Sequence, residues 1–105
     1  MGISIISTDE CFVIRMTGRF DTHCRMAFLE AAEKAVADNA CEIQIDLGSV
    51  DYLDSTALGL LLLIRDKTKG LGKKVTLANA HGSVKQVLDI AKFDKIFGAT
   101  NESGR

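Results

Sequence analysis

The sequence predicts an α/β fold: a single domain with a mixed, mostly parallel sheet of four to five strands and helices mainly on one face. Three observations lead to this prediction. Short apolar strands alternate with helical segments along the chain, which favours right-handed crossovers between parallel strands. The segments 12–17 and 42–47 alternate apolar with polar residues, whereas strands covered on both faces are apolar throughout. The chain has 105 residues, the length of one domain.

The order of the strands follows from the same argument. With helices on one face, right-handed crossovers require each new parallel strand to step in the same direction. We therefore expect the second, third and fourth strands to lie side by side in sequence order. The first strand should pair antiparallel with the second, as in a hairpin.

The first elements are two strands at 3–6 and 12–17, joined by the polar turn STDE. Gly18 is predicted to break the second strand. Asp21 or Thr22 is a suitable N-cap for the segment that follows, because both side chains can accept a bond from a free backbone N–H.

Apolar residues recur at helical spacing over 22–38, which predicts an amphipathic helix there. The alternating segment 42–47 predicts the third strand. The apolar segment 56–69 predicts the second helix, which Gly70 and Gly72 should end.

The last elements are a strand at 74–78, a third helix whose apolar residues lie between 84 and 91, and a short final strand at 95–97. The core of the domain should therefore span 3–98. Residues 99–105 are expected to form a loose tail.

Composition excludes several classes of function. Lys plus Arg number 13 and Asp plus Glu 14, so the net charge of -1 gives no basic surface for nucleic acid or an anionic membrane. The apolar run 60–64 is far shorter than the roughly 20 residues of a membrane span. The three cysteines lack metal-ligand spacing, so we expect no metal and no cofactor. The N-terminus has no signal-peptide pattern, which favours a cytoplasmic protein.

Polar side chains gather where two of the predicted strands end. Asp21 and Thr22 follow the second strand, and Asp51, Asp54 and Ser55 follow the third. Parallel strands end at the same edge of a sheet, where α/β proteins usually place their sites. These groups are therefore predicted to be neighbours, with Ser55 as the N-cap of the second helix.

The second helix has two features that its own stability does not require. Gly59 costs about 1 kcal/mol relative to Ala inside a helix, and it lies one turn beyond Ser55 on the same face. It either clears space for a docking partner or packs against a neighbouring strand. The helix is also apolar nearly all round, so Leu62 or Leu63 should lie at a protein contact surface or between neighbouring elements.

The segment LDSTALGLLLLIRDK resembles the signature of STAS domains, particularly bacterial anti-sigma factor antagonists, and Leu53 through Gly59 match it position by position. MTGRFD (16–21) and VTLANAHGSVKQVLDIAKFDKIF (75–97) resemble further family segments, so the resemblance covers 3 to about 98. The chain departs from the commonest pattern at Ala57, at Thr56 and in a short C-terminus.

The resemblance implies a non-catalytic switch. The unphosphorylated protein would bind an anti-sigma factor that is also a serine kinase of the GHKL type, and so release what that kinase sequesters. The kinase would phosphorylate Ser55, with Thr56 as the fallback, and a metal-dependent serine phosphatase of the PP2C type would reverse this. The partner-binding residues would be Asp21, Thr22, Asp54, Ser55, Thr56, Gly59, Leu62 and Leu63.

Two other functions compete with this one. An enzyme would need a pair such as Ser55 and His81, but the carboxylates have no basic partner in a comparable loop, so we expect no catalytic residue. A STAS subunit of a multiprotein complex, such as a lipid-transport ATPase, is the main alternative, with Ser55 purely structural. We expect a monomer at micromolar concentration, because the strand face is polar and the sheet edges are short.

Overall fold

The computed structural model describes residues 2–93 and residue 97. The sheet contains β1 (Gly2–Ser7), β2 (Cys11–Phe20), β3 (Glu42–Leu53) and β4 (Lys74–Ala78). The helices are α1 (Arg25–Ala37), α2 (Ser55–Thr68) and α3 (Gly82–Ile90), with a 3-10 turn at Thr22–Cys24.

The sheet has the predicted topology. Its strand order is β1-β2-β3-β4, with β1 antiparallel to β2 and the other two pairs parallel. The prediction from alternation is therefore confirmed: each crossover steps in one direction because the helices share one face.

One hydrophobic core lies between the sheet and its helices. On β2 and β3 the buried side chains are those of Phe12, Ile14 and Met16, and of Ile43, Ile45 and Leu47. The helices meet them with Phe28 from α1 and Leu61 from α2, both fully buried, and with Val84 from α3. The α1 side of this core is rich in alanine, which lets that helix lie close to the strands.

Both central strands extend beyond their predicted ends. Gly18 does not end β2; it adopts a φ of 84° beside a register shift, and the strand continues to Phe20. Two register shifts insert extra residues on β3. Because these residues break the alternation of buried and exposed side chains after Leu47, the sequence pattern does not predict the rest of that strand. Asp51, predicted to lie in a loop, is therefore within β3.

The end of the chain is only partly described. α3 covers most of the predicted third helix, and Phe93 stacks on the buried Phe97 with ring centroids 5.5 Å apart. The predicted strand at 95–97 lies outside the described residues except for Phe97 itself. The predicted tail 99–105 lies outside them altogether.

Candidate functional site

The strand register brings together the two polar segments that the sequence placed at one edge. Phe20 is the partner of Leu53 in the β2–β3 ladder, so Asp21 and Asp54 are the next residues on two adjacent parallel strands. Beyond them, the hydroxyl oxygens of Thr22 and Thr56 lie 3.1 Å apart. The predicted neighbourhood of these segments is therefore present.

Asp54, rather than Ser55, is the N-cap of α2. Its Oδ1 accepts a hydrogen bond from the backbone N–H of Ala57 at 3.0 Å, and its backbone is extended. The prediction that Ser55 caps this helix was wrong by one residue. Asp is as good a cap as Ser, and its negative charge also suits the positive end of the helix dipole.

Ser55 therefore does not cap α2. It is the first residue of α2, its side chain is exposed, and its hydroxyl has no hydrogen-bond partner within the described part of the chain. Thr56 differs, because it is half-buried and bonded to Thr22. Of these two residues, Ser55 is the more exposed, and its hydroxyl is the one not engaged by another side chain in the described residues.

Asp21 organises the loop after β2. Its carboxylate accepts hydrogen bonds from the His23 backbone N–H at 3.0 Å and from Arg19 Nε at 3.3 Å. It thus caps the 3-10 turn, whereas α1 itself begins after Cys24 without a side-chain cap. Desolvation raises the pKa of Asp21, but the hydrogen bonds from His23 and Arg19 outweigh it, so the pKa lies below its ordinary value.

Sequence reasoning missed the pair of Arg19 and Tyr52 beside this loop. The guanidinium of Arg19 lies 4.0 Å from the centroid of the Tyr52 ring while it also contacts Asp21. Arg19 and Tyr52 are direct partners in the ladder. Their proximity was hidden in the sequence because the bulges of β3 shift the register at this point.

The exposed side of α2 is apolar and has a gap. A Cβ added at Gly59 would have no atom within 4 Å apart from its chain neighbours and the backbone of its own helix, so the glycine does not serve packing against a strand. Leu62 and Leu63 are 40% and 38% exposed. Ser55, Gly59 and Leu62 succeed each other at helical spacing, so one exposed stripe leads from the free hydroxyl along the helix.

α1 contributes to the same surface. Thr22–Thr56 and Glu33–Lys67, the latter at 2.8 Å, both join residues that are 34 apart in sequence. The two helices therefore run side by side in the same direction. Met26 lies between the two contacts on α1 and is 73% exposed. Sequence reasoning missed it, although a methionine among charged residues on an amphipathic helix is a usable signal. We call Met26, Gly59, Leu62 and Leu63 the α1–α2 surface.

A metal site, a serine–histidine pair and a membrane span would each need a particular arrangement of side chains or helices within residues 2–93 and 97. No three His, Cys, Asp or Glu side chains there are placed to hold a metal ion. His81 lies with Nε2 2.9 Å from the Gly48 carbonyl oxygen. Among the described helices, none has the length and apolar character needed to cross a membrane.

Comparisons with known proteins agree with this architecture. The family model of the STAS domain matches residues 3–103. The STAS-domain containing protein PA14_20770 of Pseudomonas aeruginosa (strain UCBPP-PA14) is 39% identical over 84 residues, which are 80% of this chain and 82% of that protein.

Two solved structures share the fold. An anti-sigma factor antagonist from Mycobacterium paratuberculosis has a TM-score of 0.85 at 22% identity, covering 96% of this chain and 86% of that one. The phosphorylated form of the Bacillus cell fate determinant SpoIIAA has a TM-score of 0.66 at 18% identity, covering 98% and 95%. With its family model matched over nearly its whole length and its four-stranded sheet in place, the chain belongs to the STAS domain family.

Proposed function

We propose that this protein is a non-catalytic partner switch controlled by phosphorylation of Ser55. The observation that carries the proposal is the exposed Ser55 hydroxyl, which has no hydrogen-bond partner in the described residues and stands at the head of an open apolar stripe. Asp54 already caps the helix. A polar group that makes no contact stabilising the fold and that borders an exposed apolar surface is suited to recognition by another protein.

The proposed partner of the unphosphorylated form is an anti-sigma factor with serine kinase activity of the GHKL type. The similar structures include an anti-sigma factor antagonist, and SpoIIAA was determined in a phosphorylated form. The partner would bind to the α1–α2 surface, where the missing side chain of Gly59 would let the partner's backbone approach α2. A PP2C-type phosphatase would restore the hydroxyl.

A phosphate on Ser55 would change binding without unfolding the domain. Phosphoserine carries about -1.5 to -2 charges at pH 7, and the free N–H groups and dipole at a helix N-terminus stabilise that charge. Asp54 lies beside it and Asp21 at the end of the adjacent strand. The added charge would therefore repel a partner fitted to a neutral hydroxyl at an edge that is already acidic.

The alternative of a subunit in a complex such as a lipid-transport ATPase assigns Ser55 a structural role. That role has less support, because Asp54 performs the capping and Thr56 makes the contact with Thr22. Affinity capture separates the two functions: the proposal expects a GHKL-type kinase, and the alternative expects an ATPase subunit.

Binding of the captured kinase by point variants tests the switch. Ser55→Ala should bind at least as well as the wild type, whereas Ser55→Asp should bind poorly because a charge replaces the hydroxyl. Ser83→Asp is a matched control, since Ser83 is an exposed serine in the first turn of α3. Equal binding by the Ser55→Ala and Ser55→Asp variants would contradict the proposal.

A further inference from the structure

We propose that the free edge of β1 is a docking site for a second copy of this chain, which pairs with it as an antiparallel strand across a two-fold axis. β1 is at one end of the sheet, and among residues 2–93 and 97 only its β2 side is paired. This interface is separate from the α1–α2 surface and does not depend on the proposed switch.

β1 lacks the features that normally prevent edge-to-edge pairing. Its sequence GISIIS has no charge and no proline, and its ladder with β2 runs without a register shift. Natural edge strands are usually protected by charged residues, prolines or bulges. Ile5 and Ile6 are instead 37% and 50% exposed, on opposite faces of the strand.

The backbone direction favours pairing centred on Ile5. Thr8 donates to the Cys11 carbonyl at 2.9 Å, and bonded residues alternate along an antiparallel ladder. The backbone groups of Ile3, Ile5 and Ser7 therefore point towards the free edge. A two-fold axis at Ile5 pairs Ile5 with its own copy and Ile3 with Ser7 of the other copy, which satisfies all three residues.

An open groove lies beside this edge on the helix side. Its volume is about 200 Å³, and it is lined by Ile3, Ile5, Ala27, Glu30, Ala31 and Lys34. It stays open because the alanine side chains of α1 are too short to cover the isoleucines. A second β1 strand would bring its own Ile5 against this apolar floor.

The rim of the groove carries one acidic and one basic side chain, which could pair with the opposite charges on a second copy of the chain. Glu30 and Lys34 lie one helical turn apart, both are exposed, and neither has an ion-pair partner among the residues the structure describes. The two-fold axis would make the two α1 helices antiparallel. Glu30 of each copy would then lie within side-chain reach of Lys34 of the other, which can supply two ion pairs and favours an identical chain as partner.

The axial levels of the strand and helix agree with this arrangement. Ser7 donates to the carboxylate of Asp38 at 3.2 Å, just beyond the end of α1. Two residues back along the strand is about 6.8 Å, which is the rise of about four to five helical residues. Ile5 is therefore level with the last turns of α1, within about one helical turn of both Glu30 and Lys34, so the long side chains of Glu30 in one copy and Lys34 in the other can reach each other near the axis.

This proposal replaces the expectation of a monomer, which rested on a polar strand face and short edges. Sedimentation of the full chain over a wide range of concentration should show the mass rising from 11.4 kDa towards that of a dimer. Lys34→Glu and Glu30→Lys should each raise the dissociation constant roughly tenfold, because two attractive ion pairs become repulsive. The double variant with both charges exchanged should recover wild-type association.

Two controls make the test specific. Lys85→Glu reverses a charge in the i,i+4 pair of Lys85 and Asp89 on α3 and should leave association unchanged. Amide exchange of Ile3 and Ile5 should slow as concentration rises, whereas exchange at the β2-bonded Ser4 should not change. A chain that stays at 11.4 kDa at every concentration, or a dimer that Leu62→Asp disrupts and Lys34→Glu does not, would overturn the proposal.

Discussion

Substitution of Gly59 separates its two possible roles by their effect on stability. If Gly59 packed against a strand, a larger residue would destabilise the protein; if it only clears space for a partner, a larger residue should stabilise the helix. Gly59 lies inside α2 and is exposed, and no atom beyond its chain neighbours and its own helix backbone lies within 4 Å of the point where a Cβ would stand. Replacing a helix-interior glycine by alanine restricts the unfolded chain and stabilises the helix by about 1 kcal/mol. Gly59→Ala should therefore stabilise the protein by about that amount.

Thermal unfolding measures this effect directly. A change of about 1 kcal/mol shifts the Tm of a domain of this size by about 4–8 °C. Gly48→Ala is the contrasting control: its Cβ would lie 3.2 Å from both Asn79 Cβ and Asp46 Oδ1, so it should raise the Tm by less than Gly59→Ala does.

Gly59→Leu extends the test to binding. Leucine is nearly as good a helix former as alanine, so this variant should be at least as stable as the wild type. The kinase partner should nevertheless bind at least 10-fold more weakly, a loss of about 1.4 kcal/mol, because the side chain fills the gap beside Ser55. A lower Tm for Gly59→Ala would refute the reasoning about the open site, and full kinase binding by Gly59→Leu would refute its role in docking.

Three further predictions concern the stability and pH dependence of the fold. Asp54→Ala should destabilise the protein by about 1 kcal/mol through loss of the cap, whereas Asp54→Asn should cost little; urea unfolding compares them. The folded-state pKa of Asp21 lies below its ordinary value, so its carboxylate stabilises the fold above the pKa of the unfolded chain, and the contribution is lost as pH falls through the folded pKa. The stability deficit of Asp21→Asn at neutral pH should thus shrink in acid, and a constant deficit would contradict this. Lys73 donates to the carbonyl oxygens of Asp38 and Ala40, both at 2.6 Å, so Lys73→Met should cost about 1.5–3 kcal/mol in unfolding free energy.

The strand order could be predicted from the sequence because it depends on few constraints. Alternation in residues 12–17 and 42–47 indicated one covered face, and the handedness of crossovers then determined the topology. The ends of β2 and β3 could not be predicted in the same way. Their bulges change the side-chain period locally, so the pattern of Val50 and Leu53 no longer reads as a strand.

The proximity of the two polar segments could be predicted from the sequence, but the hydrogen-bonding roles of their residues could not. Parallel strands end at one edge, which brought Thr22 to Thr56 as expected. Whether Asp54 or Ser55 caps α2 depends on a shift of one residue in the helix start, and both are good caps. The contact of Arg19 with Tyr52 depends on the bulged register, and the exposure of Met26 depends on how the two helices lie together.

The central claim is that Ser55 is the phosphorylated residue of a switch, and phosphate mapping tests it most directly. The protein is incubated with the captured kinase and ATP, and the modified residue is identified by mass spectrometry. We predict one phosphate per chain, on Ser55, and none on Ser55→Ala. A phosphate on Thr56 or on any other residue of the wild type, or an equal yield from Ser55→Ala, would contradict it.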